Sequence, residues 1–339
     1  DKAIVDAVRK VQENKRRRKR RQASSSFDCT SLESLGQSVL SLSISDLEGL
    51  STDDFKNCLL NLGEIDDWAG DQLKALYEQF EQAVVDVCKA SEADLSDMGT
   101  VAYAMPVDTI GCLENLSEDV MAYLGELSMW TPEQLVALAK RFLEKNNIVS
   151  SSSLTSIQMV TMGHALCGLA PSEIANLDID EFSDVTAYVG SLQWCPQEQL
   201  KALKERAESV YDSATEWKSY HFLELGILLG GMSGDDLKQV STDSIDGWTQ
   251  TGIKHITPAN FKELKVSQIQ SFSKDQARAV TADMAEELND DQWVALQQAQ
   301  SGGDGSDADT NRNDDGSDDA AAITASMLLL TLMIAMLHM

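Results

Sequence analysis

Apolar residues along this chain recur at helical spacing. Leu73, Leu76 and Phe80, and again Leu135, Leu138 and Phe142, fall at i, i+3 and i+7, which lines one face of a helix. Thr131-Pro132 and Thr257-Pro258 each place an N-cap residue before a proline at the first helical position, where its missing N–H leaves nothing unsatisfied. The five prolines occupy two kinds of position, Pro106 and Pro171 after one helix and Pro132, Pro196 and Pro258 at the start of another. No segment sustains the alternation of a half-buried strand, and β-branched runs are scarce. The pattern predicts an all-α chain.

The helical pattern repeats. Leu35-Gly36, Met98-Gly99, Met162-Gly163 and Leu225-Gly226 are 63, 64 and 63 residues apart. Three landmarks keep step with them. The first is an acidic element, "GLSTDDF" from Gly49, "NLSEDV" from Asn115, "LDIDEF" from Leu177 and "QVSTDSI" from Gln239. The second is a run from Leu62, Leu124 and Val189, "LGEIDDWAGDQLKALYEQF", "LGELSMWTPEQLVALAKRF" and "VGSLQWCPQEQLKALKERA", and the third is a weaker copy, "ITPANFKEL", from Ile256. Trp68, Trp130 and Trp194 stand just ahead of the long helices, and their regular placement reads as core plugs rather than as ligand platforms. Units that cannot bury their faces alone must stack, so the expected fold is a superhelical solenoid of short helices, ARM/HEAT-like, with about four repeats of ~63 residues. "LNDDQWVALQQAQ" from Leu288 repeats the pattern with Trp293 in the leucine slot and reads as the cap of the stack.

The ends differ from the middle. Residues 320–339, "AAAITASMLLLTLMIAMLHM", carry no Lys, Arg, Asp or Glu. Seven Leu and Ile at roughly −0.5 kcal/mol each give about −3 kcal/mol for insertion into a bilayer. No Lys or Arg follows, and the polar stretch "SGGDGSDADTNRNDDGSDD" precedes. Small residues, a polar spacer and a hydrophobic end form a glycosylphosphatidylinositol attachment signal, against the alternatives of a plain transmembrane helix or a tail anchor. Ser306 is the expected attachment residue, with Gly305 and Asp307 as alternatives. "NRNDDG" from Asn311 resembles the start of a calcium loop, but its twelfth position is Ala322 rather than a bidentate Glu. The expected organisation is therefore an upstream region at 1–21, the repeat domain at 22–300, a spacer at 301–319 and an attachment signal at 320–339.

Charge and cysteine change this picture further. Residues 1–21 hold ten Lys and Arg against three Asp and Glu, whereas 22–306 hold sixteen against forty-six, a net of −30. Such a body repels phosphate backbones, which excludes nucleic acid as its partner. The six cysteines all lie in the repeat region and show no zinc-ligand spacing; in a secreted chain they pair into three bridges, with fifteen pairings open. Asn115-Leu116-Ser117 is the single N-glycosylation sequon, and Ser117 also reads as a helix N-cap. In the secretory pathway the run Arg18-Lys19-Arg20-Arg21 fits the recognition pattern of a proprotein convertase, with cleavage expected after Arg21; the competing readings are an import patch and a solvated basic face. The chain begins at Asp1, and "DKAIVDAVRKVQ" is expected to close a preceding unit of a longer precursor.

Enzyme signatures do not appear. There is no GxSxG, HExxH, Walker or dinucleotide loop. His164, His221 and His255 lie within the repeat region, and the one pairing that suggests a nucleophile and base, His164 with Cys167 at i and i+3, reads as core packing. No catalytic residue, metal ligand or cofactor is expected.

At "FLELGILLGGMSGDDLKQVSTDSI" and "ALCGLAPSEIANLDIDEF…LQWCPQEQLKAL" the sequence resembles the mesothelin, stereocilin and otoancorin family, over residues 30 to 290. The resemblance implies a convertase site ahead of a helical superhelix that ends in a lipid anchor. It also implies a Cys167–Cys195 bridge, and the same nearest-neighbour logic pairs Cys29–Cys58 and Cys88–Cys112. The function it implies is adhesion at the outer cell surface, cell to cell or cell to matrix, through an extracellular glycoprotein or mucin-like ligand, and it carries over no contact residues. The alternative is a membrane-tethered intracellular scaffold of helical repeats.

Overall fold

The computed structural model describes residues 27–302 together with Lys2, Val5, Val8, Arg9 and Lys10. The described residues are helical, with α-helices of four to fifteen residues, short 3-10 helices and no strand. All five prolines start α-helices: Pro132, Pro171 and Pro258 at the first turn, Pro106 and Pro196 as N-caps. The expected division of the prolines into two classes therefore gives way to one, because a ring without N–H fits helix entry wherever it occurs.

Each repeated Leu-Gly or Met-Gly marks the same event. An α-helix stops (Cys29–Leu35, Glu92–Asp97, Ser156–Met162, Ser219–Leu225), a glycine follows, and a six-residue 3-10 helix begins on it (Gly36–Ser41, Gly99–Ala104, Gly163–Gly168, Gly226–Gly231). The four glycines have φ between +36° and +52°, a region costly for a residue with a Cβ. Three of them also rest on the backbone of a second glycine. A Cβ on Gly99, Gly163 or Gly226 would lie 2.2, 2.3 and 2.2 Å from the carbonyl oxygens of Gly63, Gly125 and Gly190. Those partners are the glycines of the "LG" and "VG" that open the second landmark, so two separate sequence repeats meet at one contact. Gly36 alone of the four has nothing within 4 Å.

A second device repeats beside the first. Gln72, Gln134, Gln268, Gln276 and Gln292 are buried near helix starts. Each accepts the N–H of its own N-cap residue through Oε1 and donates through Nε2 to two carbonyls 28 to 32 residues earlier. A buried amide is costly when unpaired and neutral or better when fully bonded. Here it closes a cap and ties off the preceding turn at once. Seven residues further along three long helices, Gln79, Arg141 and Arg206 donate to the carbonyls of Glu48, Leu113 and Leu177 in the same sense. The structural stride is therefore close to 30 residues, and the ~63-residue sequence unit contains two such strides.

Between these ties lies a continuous apolar core that includes Phe55, Leu76, Phe80, Leu135, Leu138, Phe142, Phe182 and Phe222, each at most 1% exposed. The tryptophans divide. Trp68 and Trp130 are buried, and their indole N–H groups donate to Leu62 and Leu124 carbonyls at 3.0 Å. Trp194 is only half-buried, contrary to its reading as a plug. Trp68 and Trp130 stand five residues after Gly63 and Gly125, but the residue five after Gly190 is Cys195, which is buried and bridged to Cys167. The third copy is one residue short, so a disulfide fills the plug position and Trp194 moves outward.

Gly163→Ala meets both the left-handed backbone, roughly 1–2 kcal/mol, and overpacking against Gly125, roughly 1–3 kcal/mol, for an expected loss of about 2–5 kcal/mol. Gly36→Ala meets open space and is expected to lose only the backbone part, about 1–2 kcal/mol. Urea denaturation of the two variants separates these values; equal losses would mean that the stacked contact contributes nothing.

Candidate interaction surface

No nucleophile pair forms at His164 and Cys167. Cys167 is bonded to Cys195, and both ring nitrogens of His164 are engaged in the backbone. Nε2 accepts the Gln193 N–H at 3.1 Å, so Nδ1 carries the hydrogen and donates to the Gly125 carbonyl at 3.0 Å. His255 donates from Nδ1 to the Thr251 carbonyl, and His221 accepts the Lys218 N–H. The three histidines are thus structural struts or caps.

All six cysteines are bridged, as Cys29–Cys58, Cys88–Cys112 and Cys167–Cys195, with Cα–Cα separations of 5.3, 5.1 and 5.4 Å. Their sequence separations, 29, 24 and 28, are close to the glutamine stride, so each bridge joins consecutive turns of the fold. Closing loops of this length contributes about 3–4 kcal/mol each in the chain-entropy model. Asn115 lies exposed between helices Val107–Cys112 and Glu118–Glu126, its Nδ2 donating to the Ala90 carbonyl at 2.8 Å. Ser117 caps the second of these helices. Arg18, Lys19, Arg20, Arg21, Gly305, Ser306, Asp307 and the apolar segment 320–339 lie outside the described residues.

The concave surface with the most distinctive chemistry is an open cleft of about 400 Å³ lined by Ser128, Met129, Trp130, Gln193 and Trp194. Its walls are equivalent loops of two successive repeats, each running from a helix-terminal glycine to the next long helix. Two polar side chains fix them, the partly buried Tyr103 and the buried His164. The Tyr103 hydroxyl accepts the Ser128 and Met129 N–H groups at 3.0 and 3.2 Å while its ring packs edge-on against Trp130 at 5.3 Å. Across the cleft, His164 holds Gln193 to Gly125. Met129 is 58% exposed, while Trp194 is partly buried and packs against the core, giving a partly aromatic floor with backbone and amide groups at its rim. Such a surface suits the apolar face of a sugar or peptide. The cleft was not visible in the repeat pattern, although the missing residue between Gly190 and Trp194 is a readable sign of it.

Three lysines pair with carboxylates, one of them in the interior and two at the surface. Lys204 is buried between Glu208 and Asp236 at 3.2 and 3.4 Å, Lys238 pairs with Asp235 and Glu263, and Lys262 with Glu287. Among the described residues no cluster of His, Cys, Asp and Glu is arranged to hold a metal, and no helix is long and apolar enough to cross a membrane.

Burial lowers the His164 pKa below its ordinary 6.5, with the Gly125 hydrogen bond opposing in part. The unfolded chain therefore takes up this proton first as pH falls. The stability that neutral His164 contributes is complete above pH 6.5 and is lost as pH drops toward the depressed folded value. Denaturation at pH 7.5 and 5.5 is expected to show a smaller acid loss for His164→Gln than for the parent; identical losses would remove His164 as the source.

No protein-family model matches the chain. Otoancorin from Mus musculus is 30% identical over 241 residues, 71% of this chain and 21% of that protein. Otoancorin from Homo sapiens is 30% identical over 259 residues, 76% of this chain and 22% of that protein. Stereocilin from Homo sapiens is 28% identical over 185 residues, 53% of this chain and 10% of that protein. The chain thus spans about a fifth of the otoancorins it matches.

Proposed function

This chain belongs with otoancorin and stereocilin in one family, and from that premise we propose that it is a cell-surface protein that mediates adhesion and has no catalytic activity. The observation that carries the proposal is that kinship, at 30% identity over 71% and 76% of the chain. The three disulfides support it, since bridges persist in an oxidising compartment and are rare in the cytosol. In this reading the stride of about 30 residues builds an ARM/HEAT-like solenoid, a proprotein convertase cuts after Arg21, Asn115 carries an N-glycan and a lipid at Ser306 holds the array to the outer leaflet. The ligand is an extracellular, mucin-type glycoprotein, and the cleft between Met129 and Trp194 is its docking place. A partly exposed indole beside an exposed methionine offers a stacking face, and the net charge of −30 over residues 22–306 favours a partner with basic groups.

Phosphatidylinositol-specific phospholipase is expected to release the protein from intact expressing cells, and its mobility on non-reducing gels should change on reduction. Resistance to the phospholipase together with six free thiols would favour an intracellular scaffold instead. Beads coated with mucin-type glycoprotein are expected to adhere to these cells, and Trp194→Ala to weaken that adhesion about tenfold, the effect of losing roughly 1.4 kcal/mol. Unchanged adhesion by the variant would remove the cleft from the reading and leave the surface assignment standing.

A further inference from the structure

The last described helix, Asp290–Ser301, presents a face unlike those of the other long helices. Counted from the glutamine near each helix start, Trp293 takes the place that Leu135 and Leu200 hold in helices Pro132–Lys145 and Gln197–Tyr211. Those leucines are at most 1% exposed, and a glycine of a later 3-10 helix lies against each. A Cβ on Gly168 would sit 2.0 Å from the Leu135 carbonyl oxygen, and one on Gly231 would sit 2.3 Å from that of Leu200. Among the described residues no 3-10 helix follows Asp290–Ser301. Trp293 is 42% exposed, the most open of the six tryptophans, and Val294 is 50% exposed. Charge separates the faces too. Gln298 stands where Glu78, Lys140 and Glu205 stand on the other helices, and no residue from Gln292 to Ser301 is charged. Asp290 and Asp291 bound this face at its start, and the exposed Lys274 stands beside its end, its Cδ 4.0 Å from the place of a Cβ on Gly302.

We propose that this face rests in the headgroup layer of the outer leaflet, with Trp293 and Val294 as a lipid-contacting pair that orients the last turn of the array against the membrane. The inference rests on the lipid-anchor reading. Ser306, the expected attachment residue, lies four residues beyond Gly302, a reach of at most about 14 Å for extended chain. A lipid there keeps the end of the helix near the bilayer surface, so the contact is intramolecular in effect and a weak one suffices. The indole suits that layer: its ring is apolar, its N–H finds a water or phosphate partner, and tryptophan concentrates at membrane interfaces. An uncharged face avoids the desolvation that a carboxylate or ammonium would cost there. Lys274 at the rim can keep its ammonium among the phosphates while its carbon stem lies along the surface. Twelve residues are too few to cross a bilayer, so the helix lies on it. A second copy of the chain is a poorer occupant, because two exposed apolar side chains offer far less area than a stable dimer buries.

The test takes the protein from expressing cells in detergent and adds it to vesicles of phosphatidylcholine brominated near the headgroup end of its chains, since bromine quenches an indole only on contact. Trp293 is one tryptophan of six, so emission of the parent is expected to fall by about a sixth relative to unbrominated vesicles. In Trp293→Phe that loss should vanish with the urea midpoint unchanged, and Val294→Glu should abolish it with Trp293 still present. Release of the protein from the same vesicles by phosphatidylinositol-specific phospholipase reports the anchor separately, so a missing anchor and a missing contact are told apart. The proposal is overturned if bromination affects the parent and Trp293→Phe alike, including not at all. A dimer that persists after phospholipase release and that Trp293→Glu dissociates would assign the face to a second copy and overturn it as well.

Discussion

The structure depends on a contact between backbones. Where one helix reaches Gly63, Gly125 or Gly190 in its last turn, the turn at Gly99, Gly163 or Gly226 rests directly on it, closer than any side chain permits. Two requirements coincide at the second glycine, a positive φ that starts the 3-10 helix and the absence of a Cβ against the neighbouring carbonyl. This approach sets how closely consecutive turns pack, and therefore which side chains can reach from one to the next. The buried glutamines and the Arg141 and Arg206 clamps have the length needed to span that gap.

Helices of four to seven residues are unstable alone, because too few hydrogen bonds offset the cost of nucleation and both ends leave backbone groups unpaired. The array resolves this by satisfying those ends across turns. A capping glutamine such as Gln268, in the five-residue helix Val266–Gln270, serves its own Lys265 N–H and the carbonyls of Leu237 and Val240 together, and it is 1% exposed. Full satisfaction is what allows an amide in the core. The disulfides add covalent ties at nearly the same stride, so sequence-distant turns are joined by three independent means: glycine contact, glutamine bond and sulfur bridge.

The cleft at Met129 and Trp194 arises from an irregularity in this regular scheme. One residue fewer after Gly190 puts Cys195 in the interior and leaves an indole partly exposed, while Tyr103 and His164 bond to the two loops. The irregular position has backbone-directed hydrogen bonds of its own, from Tyr103 on one side and His164 on the other.

The helical class, the landmark glycines, the Thr-Pro helix starts and the apolar stripes of Leu73 to Phe80 and Leu135 to Phe142 were legible in the chain, because each is a local rule of spacing or capping. The basic run and the apolar end were legible for the same reason, as composition. The true stride was not: a 63-residue period in the letters conceals two similar steps whose side chains differ but whose backbones pair alike. The roles of Gln72, Gln134 and Gln292 were equally hidden, since their partners lie 28 to 32 residues away and are carbonyl groups, which every residue possesses. Trp194 lies between the two cases, for its place one residue nearer the preceding glycine than Trp68 and Trp130 is readable, while the packing of Cys195 against Cys167 that leaves the indole only partly buried is not. Sequence determined what each segment becomes; tertiary structure decided which backbones touch, because that depends on atoms common to all residues and on the absence of a Cβ at a few of them.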